Sequence, residues 1–394
     1  MIYNNVCNDN LSLLGFGTMR LPLNEDKSID EKQVEEMVKL AIDNGINYFD
    51  TAFPYHEGKS EIVIGKVLSK YPRESFRLAT KYPGHQIASS YNPEEIFETQ
   101  LKKCKVDYFD YYLLHNVCES DFEIYEDPKW GIIDYFVKQK ELGRIKHLGF
   151  SSHALCENLD AFISRHEGLF EFCQIQLNYL DWSLQDAKGK YEVLEKHNIP
   201  VWVMEPLRGG KLVNSLIESD KKKLNDFRNN ESFASFGFRF LMQYPNIKMI
   251  LSGMSCLEQM QDNIKTFNTD KPLTKQENDF LLEMAERLKV SVPCTGCGYC
   301  LKGCPKGLDI PRLISAYNDL KFAESFTAPM YVDSLDKDKK PNSCIECGQC
   351  SSICPQKIDV PKHLKDFCDL LDKTVKWADI CKEREEAAKK NRNS

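Results

Sequence analysis

The stretch DEKQVEEMVKLAIDNGINYFD, residues 30–50, reads as one helix running into one short buried strand. Asp30 stands where a helix N-cap belongs, with Gln33 placed to reach back to it. Val34, Met37, Val38, Ala41 and Ile42 then recur at helical spacing and form one apolar face. Gly45 supplies the left-handed residue that stops the helix. Residues 46–50 follow at once as an apolar strand ending in Asp50.

Working outward, this unit recurs. Strand-like segments fall at 13–20, 46–50, 77–81, 108–115, 145–151, 172–176, 200–204 and 247–252, with helical stretches between them. Such alternation implies parallel strands with right-handed crossovers. Eight strands over the first 285 residues predict a closed (β/α)8 barrel, which typically spans about 250 residues. A doubly wound open sheet is the alternative, but it needs fewer strands, and no Gly-x-Gly-x-x-Gly opens the first helix. The expected domains are a barrel over 1–285, a small, mainly helical iron–sulfur domain over 286–370, and a charged tail over 371–394. In the small domain 308–321 is expected to be helical. The tail is expected to be a solvated helix, with Glu385–Lys389 and Glu386–Lys390 at i,i+4 spacing.

The chain has 394 residues, 42% of them apolar and 28% charged, which fits one large folded domain plus a small one and argues against long disorder. A net charge of -7 gives no reason to expect nucleic acid or an anionic membrane as partner. The N-terminus lacks the pattern of a signal peptide, and no apolar run approaches the roughly 20 residues of a membrane span. The expected location is therefore cytoplasmic. Sixteen cysteines in a reducing compartment point to metal, not disulfides.

Eight of them form two runs of the same spacing. They are Cys294, Cys297, Cys300 and Cys304 before Pro305, and Cys344, Cys347, Cys350 and Cys354 before Pro355. Three thiolates at two-residue intervals can wrap one face of a cluster, with Gly296, Gly298 and Gly348 easing the loop. Zinc sites usually use two separated pairs instead. The runs are read as ligands of two [4Fe–4S] clusters and resemble those of bacterial ferredoxins. The resemblance implies that each fourth cysteine ligates the other cluster. Cys294, Cys297, Cys300 and Cys354 would then hold one, and Cys344, Cys347, Cys350 and Cys304 the second. The long stretch between Cys304 and Cys344 implies an inserted helical segment. Cys7, Cys104, Cys118, Cys156, Cys173, Cys256, Cys368 and Cys381 lack the pattern and are expected to be buried apolar fillers.

Barrel chemistry sits at the C-terminal ends of the strands. Asp50 and Tyr55 follow the second predicted strand, Lys81 ends the third, and His115 ends the fourth. A phenol with pKa near 10 is a poor proton relay at neutrality. A neighbouring Lys81 ammonium would lower that value, and Asp50 would pair with the otherwise costly buried lysine. His115 would orient a substrate carbonyl, and Tyr55 would donate the proton.

At this point the first 285 residues or so resemble the aldo-keto reductases. The resemblance rests on Gly15-Phe16-Gly17-Thr18-Met19, Asp50-Thr51-Ala52 with Tyr55, Gly58-Lys59-Ser60-Glu61, Leu78-Ala79-Thr80-Lys81, Leu113-Leu114-His115 and Leu148-Gly149-Phe150-Ser151-Ser152. It implies a catalytic tetrad of Tyr55, Lys81, Asp50 and His115, and NAD(H) or NADP(H) extended across the barrel mouth. Gly17, Thr18, Met19 and Asp50 would line its ribose and nicotinamide. Ser151, Ser152 and Gln174 would bond the carboxamide, and Leu207, Gly209 and Gly210 would follow the pyrophosphate. Ser252, Gly253, Met254, Gln259, Asp262 and Asn263 would surround the adenosine. Two departures from the family pattern stand out. Gly253 and Gln259 occupy positions that are basic in many NADPH-specific members, and Met204 replaces an aromatic stacking ring. Arg208 or Lys211 is the candidate cation to compensate.

The implied activity is carbonyl reduction or alcohol oxidation on a small molecule. The clusters would exchange electrons with a ferredoxin or another redox partner. Clusters pass single electrons whereas nicotinamides pass hydride, and no flavin signal is present to mediate. The competing reading is a ferredoxin-type electron-transfer or docking protein with a non-catalytic barrel scaffold, and a third makes the clusters purely structural.

Overall fold

The computed structural model describes residues 1–84, 91–119, 121–214, 216–289, 292, 294, 298–322, 326–354, 356–374, 379, 382–383 and 386. The expected tail helix, its i,i+4 pairs, Gly296, Cys297, Pro355 and Cys381 therefore lie wholly or largely outside the described residues.

The unit that opened the reading folds as expected. Asp30 Oδ1 accepts from the Gln33 N–H at 3.0 Å and caps the helix Glu31–Asp43. Gly45 takes φ +86°, which turns the chain into the next strand. In chain order the strands are β1 (Tyr3–Val6), β2 (Asp9–Ser12), β3 (Leu14–Gly17), β4 (Tyr48–Asp50) and β5 (Arg77–Tyr82). There follow β6 (Phe109–Leu114), β7 (Ile145–Ser152), β8 (Cys173–Gln176), β9 (Val201–Met204) and β10 (Ile247–Ser252). Strands β3 to β10 pair in sequence, all parallel, and β10 closes on β3. This is the (β/α)8 barrel. Most strand boundaries shift by a residue or two, and the largest shift is in the first barrel strand, which stops at Gly17 because Thr18–Arg20 turns into a 3-10 helix.

Strands β1 and β2 form an antiparallel hairpin that the sequence reading did not anticipate. Its Val6 and Leu11 join Tyr48, Tyr111, Phe172 and Trp202 in the barrel interior. Asp9 accepts from Arg77 at 2.8 Å and from the Tyr111 hydroxyl at 3.2 Å. The hairpin thus closes the N-terminal end, opposite the face where barrel chemistry sits.

The C-terminal segment builds a separate small core. Leu313, Ile314 and Tyr317 of the helix Ile310–Phe322 pack with Leu364 and Phe367 of the helix Val360–Leu371. The expected inserted helical segment is present as Thr327–Ser334. The segment is docked on the barrel's C-terminal face: Ser315 donates to the Leu184 carbonyl at 3.2 Å, and Arg312 pairs with Glu157. Met330 joins the main barrel core.

Candidate active site and cluster cysteines

Neighbouring strands in register bring the four candidate catalytic side chains to one end of the barrel. Asp50 lies opposite Gly17 and Ala79, and Lys81 opposite Leu113. Lys81 Nζ stands 2.6 Å from Asp50 Oδ1, donates to the Thr51 carbonyl at 2.8 Å, and lies 3.5 Å from the Tyr55 hydroxyl. The Tyr55 and His115 rings meet edge to face with centroids 6.0 Å apart. His115 is held by its backbone: its N–H donates to Tyr82, and its carbonyl accepts from the Tyr125 hydroxyl at 2.5 Å.

Asp50 and Lys81 are almost wholly excluded from water. Burial alone would drive the Lys81 ammonium toward neutrality; the Asp50 carboxylate and the Tyr55 oxygen outweigh it, and the ammonium is held above its ordinary value. For Tyr55 burial dominates and pushes the phenol up, against the pull of Lys81. This corrects the expectation that the ammonium brings the phenol below its usual pKa. Tyr55 is instead kept protonated, as a proton donor must be.

Two residues quoted only as part of a motif turn out to build the site. Ser60 Oγ lies 2.7 Å from Thr18 Oγ1 and 2.9 Å from Thr51 Oγ1, which ties β3 to the loop after β4. Glu61, fully buried, accepts from Thr80 and Gln100 at 2.7 Å each, and Gln100 also donates to the Lys81 carbonyl at 3.0 Å. Gly65 makes this possible: a Cβ there would meet the Lys103 carbonyl at 2.5 Å, so only glycine lets the helices Ser60–Leu68 and Pro93–Cys104 approach this closely.

The residues expected to face a nicotinamide sort into three kinds. Gln174 Oε1 is buried with no hydrogen-bond partner among the described residues and is free to accept from an amide. Ser151 Oγ accepts from the Asn116 N–H at 2.8 Å and keeps its own proton available. Gly209 and Gly210 take φ +63° and +86° in a loop where Glu205 and Arg208 also have positive φ. Met19 is exposed, whereas Met204 and Leu207 are half-buried.

Others are committed to the fold. Thr18 donates to the Asp50 carbonyl, Ser152 donates to the Val117 carbonyl, and Asn263 bonds Ser252 Oγ at 3.0 Å. Met254 is buried in the main core, which leaves only its backbone for a ligand. Gln259 is exposed and accepts from the Ser255 N–H at 2.8 Å. Asp262 is half-buried one turn away.

Arg208 does not serve as the compensating cation. It is buried and ion-paired with Asp181 and, at 2.6 Å, with Asp319 of the small domain. Lys211 opens the short helix directly after Gly210, and a further cation near the loops is Arg20, which the sequence reading passed over. Its guanidinium lies against Gly209, where a Cβ would stand 2.9 Å from Cζ, and its side chain also flanks Gly253. It pairs with Glu205 at 2.7 Å. Its position beside Gly15–Met19 was the available signal, but its reach depends on two distant loops.

The cysteines gather around two cavities. Cys294, Cys300 and Cys354 line one, together with Gly298, Ile310 and Val360. Cys304, Cys344, Cys347 and Cys350 line the other, with Leu308 and Leu364. Each cavity therefore takes its fourth-position cysteine from the opposite run. Both donor sets are soft thiolates in an apolar setting, which suits iron–sulfur ligation. Of the remaining cysteines, Cys104, Cys118 and Cys173 are buried as expected. Cys7, Cys156, Cys256 and Cys368 are only half-buried, so the filler reading fails for them.

Residues 13–286 match the aldo/keto reductase family, and residues 293–358 match the 4Fe-4S dicluster domain. A probable aldo-keto reductase of Glycine max is 30% identical over 183 residues, 44% of this chain and 49% of that protein, so this match spans about half the relative's length. The NADH-specific methylglyoxal reductase of Escherichia coli is 23% identical over 62% of this chain and 85% of its own. Among solved structures, the holo form of the aldo-keto reductase AKR11C1 from Bacillus halodurans superposes with TM-score 0.59 at 23% identity, covering 72% of this chain and 96% of that one. That likeness carries the fold. No described helix is long and apolar enough to cross a membrane.

Proposed function

The chain belongs to the aldo/keto reductase family, and from that premise we propose that its barrel interconverts a small carbonyl compound and its alcohol with NADH or NADPH. Two [4Fe–4S] clusters on the eight cysteines exchange electrons with a ferredoxin or similar carrier. The domains in this reading are 1–285, 286–370 and 371–394. One observation carries the enzymatic part: a Lys81 ammonium held between Asp50 at 2.6 Å and the Tyr55 hydroxyl at 3.5 Å, with the His115 ring across the phenol.

The nicotinamide supplies or accepts the hydride. Every other part of the step falls to the chain. His115 orients the carbonyl oxygen toward Tyr55. The phenol, held protonated by burial, gives its proton to that oxygen as charge develops there. Lys81, kept charged by Asp50, then stabilises the phenolate left behind. In the oxidative direction the same groups run in reverse.

Gln174 Oε1 and Ser151 would hold the carboxamide, and Gly209 and Gly210 admit a pyrophosphate to the backbone. Arg20 is a nearby cation for its charge. The family relative named for methylglyoxal makes a carbonyl beside a second carbonyl the first substrate class to try.

The test compares wild type with Tyr55→Phe, purified without oxygen, using methylglyoxal with NADH and with NADPH. Turnover is expected to fall about 10²–10⁴-fold, with iron content unchanged. Undiminished turnover in the variant would remove the tetrad from the mechanism and leave the scaffold reading in its place.

A further inference from the structure

Between the barrel and the small domain lies a cavity of about 280 Å³, near the lower end of the size of small-molecule sites. Neither Tyr55 nor His115 lines it. Its floor comes from the loops after β6, β7 and β8 and the start of the helix Ala187–Lys196. Its roof comes from the helices Ile310–Phe322 and Thr327–Ser334.

Three polar side chains on this wall are unmatched among the described residues. Lys190 is only 5% exposed, yet its ammonium takes part in no hydrogen bond or ion pair. Gln185 has both amide atoms buried without partners, and His153 Nδ1 is likewise buried without one. Burial and the nearby Lys190 charge push the His153 imidazole down to about 4, so it faces the cavity neutral. With no protein acceptor, the ammonium that Lys190 presents to the cavity leaves its charge to be met by water or by an occupant.

The wall's own carboxylates do not. Asp319 is taken by Arg208, and Glu157 by Arg312. Glu119 accepts from the Leu155 N–H and Asn158, and Asp186 from the Gly189 N–H and the Cys156 thiol. With Asp319 and Glu157 matched by arginines, Glu119 and Asp186 remain against the Lys190 ammonium, and this small excess of negative charge sets the charge of any occupant. It repels a dianion such as phosphate, whereas a single carboxylate seated directly on Lys190 gains more than it loses. The Gln185 NH2 has no acceptor and its Oε1 no donor, which asks for a hydroxyl on the same molecule. Leu155, Ala316, Met330 and Tyr331 provide an apolar wall for its carbon chain.

We propose that this junction is a second ligand site, separate from the tetrad, for a small hydroxylated monocarboxylic acid bound through Lys190 and Gln185. Because both domains contribute walls, occupancy strengthens their docking.

The test is calorimetric titration of the intact, cluster-loaded protein with 3-hydroxybutyrate, butyrate, 1,3-butanediol and inorganic phosphate, up to about ten times a millimolar dissociation constant. Saturable 3-hydroxybutyrate binding is expected, weaker butyrate binding, and none by the diol or phosphate. Lys190→Met should weaken 3-hydroxybutyrate at least about tenfold, the loss of one charge-assisted contact. Gln185→Leu should erase its advantage over butyrate, and Tyr55→Phe should change nothing. The proposal is overturned if no carboxylate binds, if phosphate or the diol binds as well as 3-hydroxybutyrate, or if Lys190→Met binds like wild type. Loss of binding in Tyr55→Phe would assign the heat to the tetrad and overturn it too.

Discussion

At the scale of single residues, the ion pair of Lys81 and Asp50 sets both stability and chemistry. Asp50 Oδ2 is buried with no partner among the described residues, so Lys81 is the cation that keeps this carboxyl ionised. Burial already pushes the Asp50 carboxyl up, with Lys81 pulling the other way. In Lys81→Met only burial remains. The folded-state pKa then lies well above the unfolded value, so the folded protein binds a proton that the unfolded chain releases. Stability is full below the unfolded pKa near 4 and falls as pH rises, by about 1.4 kcal/mol per unit. Urea denaturation should show the variant losing about 2–3 kcal/mol relative to wild type between about pH 5 and about pH 7. Asp50→Asn in the same chain should flatten that slope. A variant whose stability tracks wild type across this range would mean that Asp50 stays charged without the lysine. Asp50, Lys81 and His115 could be read from sequence because each falls at the end of a plain strand, and Tyr55 because it follows Asp50 in the Asp50-Thr51-Ala52 motif. Arg20 could not, since nothing local says that loops from 205 and 253 converge on it.

At the scale of elements, the small domain is a repeat that its cysteine spacing only hints at. Gly298 and Gly348 share a left-handed φ, as do Gly307 and Lys357 after the two fourth-position cysteines. Asp309 and Asp359 each accept from an N–H three residues on, Arg312 and Lys362, at 3.4 Å. Ile310 and Val360 then lead their helices along the first cavity. Such a two-fold arrangement is what lets each run lend a cysteine to the other. Iron analysis of double variants checks the crossing. Cys294→Ser with Cys354→Ser should keep about half the iron, as one intact cluster, while Cys304→Ser with Cys354→Ser should damage both. Half the iron surviving instead in Cys294→Ser with Cys304→Ser would show uncrossed ligation. The eight barrel strands were legible because their apolar runs alternate with amphipathic helices. The hairpin of β1 and β2 was not: YNNV and DNLS carry too few apolar residues to signal a strand, and its stability comes from the barrel end it covers.

At the scale of the whole molecule, two hydrophobic cores meet across a junction that combines buried charges with apolar contacts from Met330 and Phe322. The barrel core is far larger and, among the described residues, includes none of the cluster cysteines, whereas the small core includes Cys300 and Cys350. A core of that size is expected to depend on bound clusters, as small metal-binding domains commonly do. The junction is held by Arg208 between Asp181 and Asp319, a buried arrangement that is costly to break but adds little net stability when intact. Removing the clusters with a chelator under oxidising conditions should therefore melt the helices Ile310–Phe322 and Val360–Leu371 and leave the barrel folded. Circular dichroism should lose part of its helical signal at once, with a separate thermal transition for the remainder, and limited proteolysis should cut first between 294 and 371. The junction ties the outcomes together, because Asp319 leaves with its helix and Arg208 is left facing only Asp181. If cluster loss instead unfolded the entire chain in one transition, the two cores would be a single cooperative unit, and the junction would be doing far more than its buried charges account for.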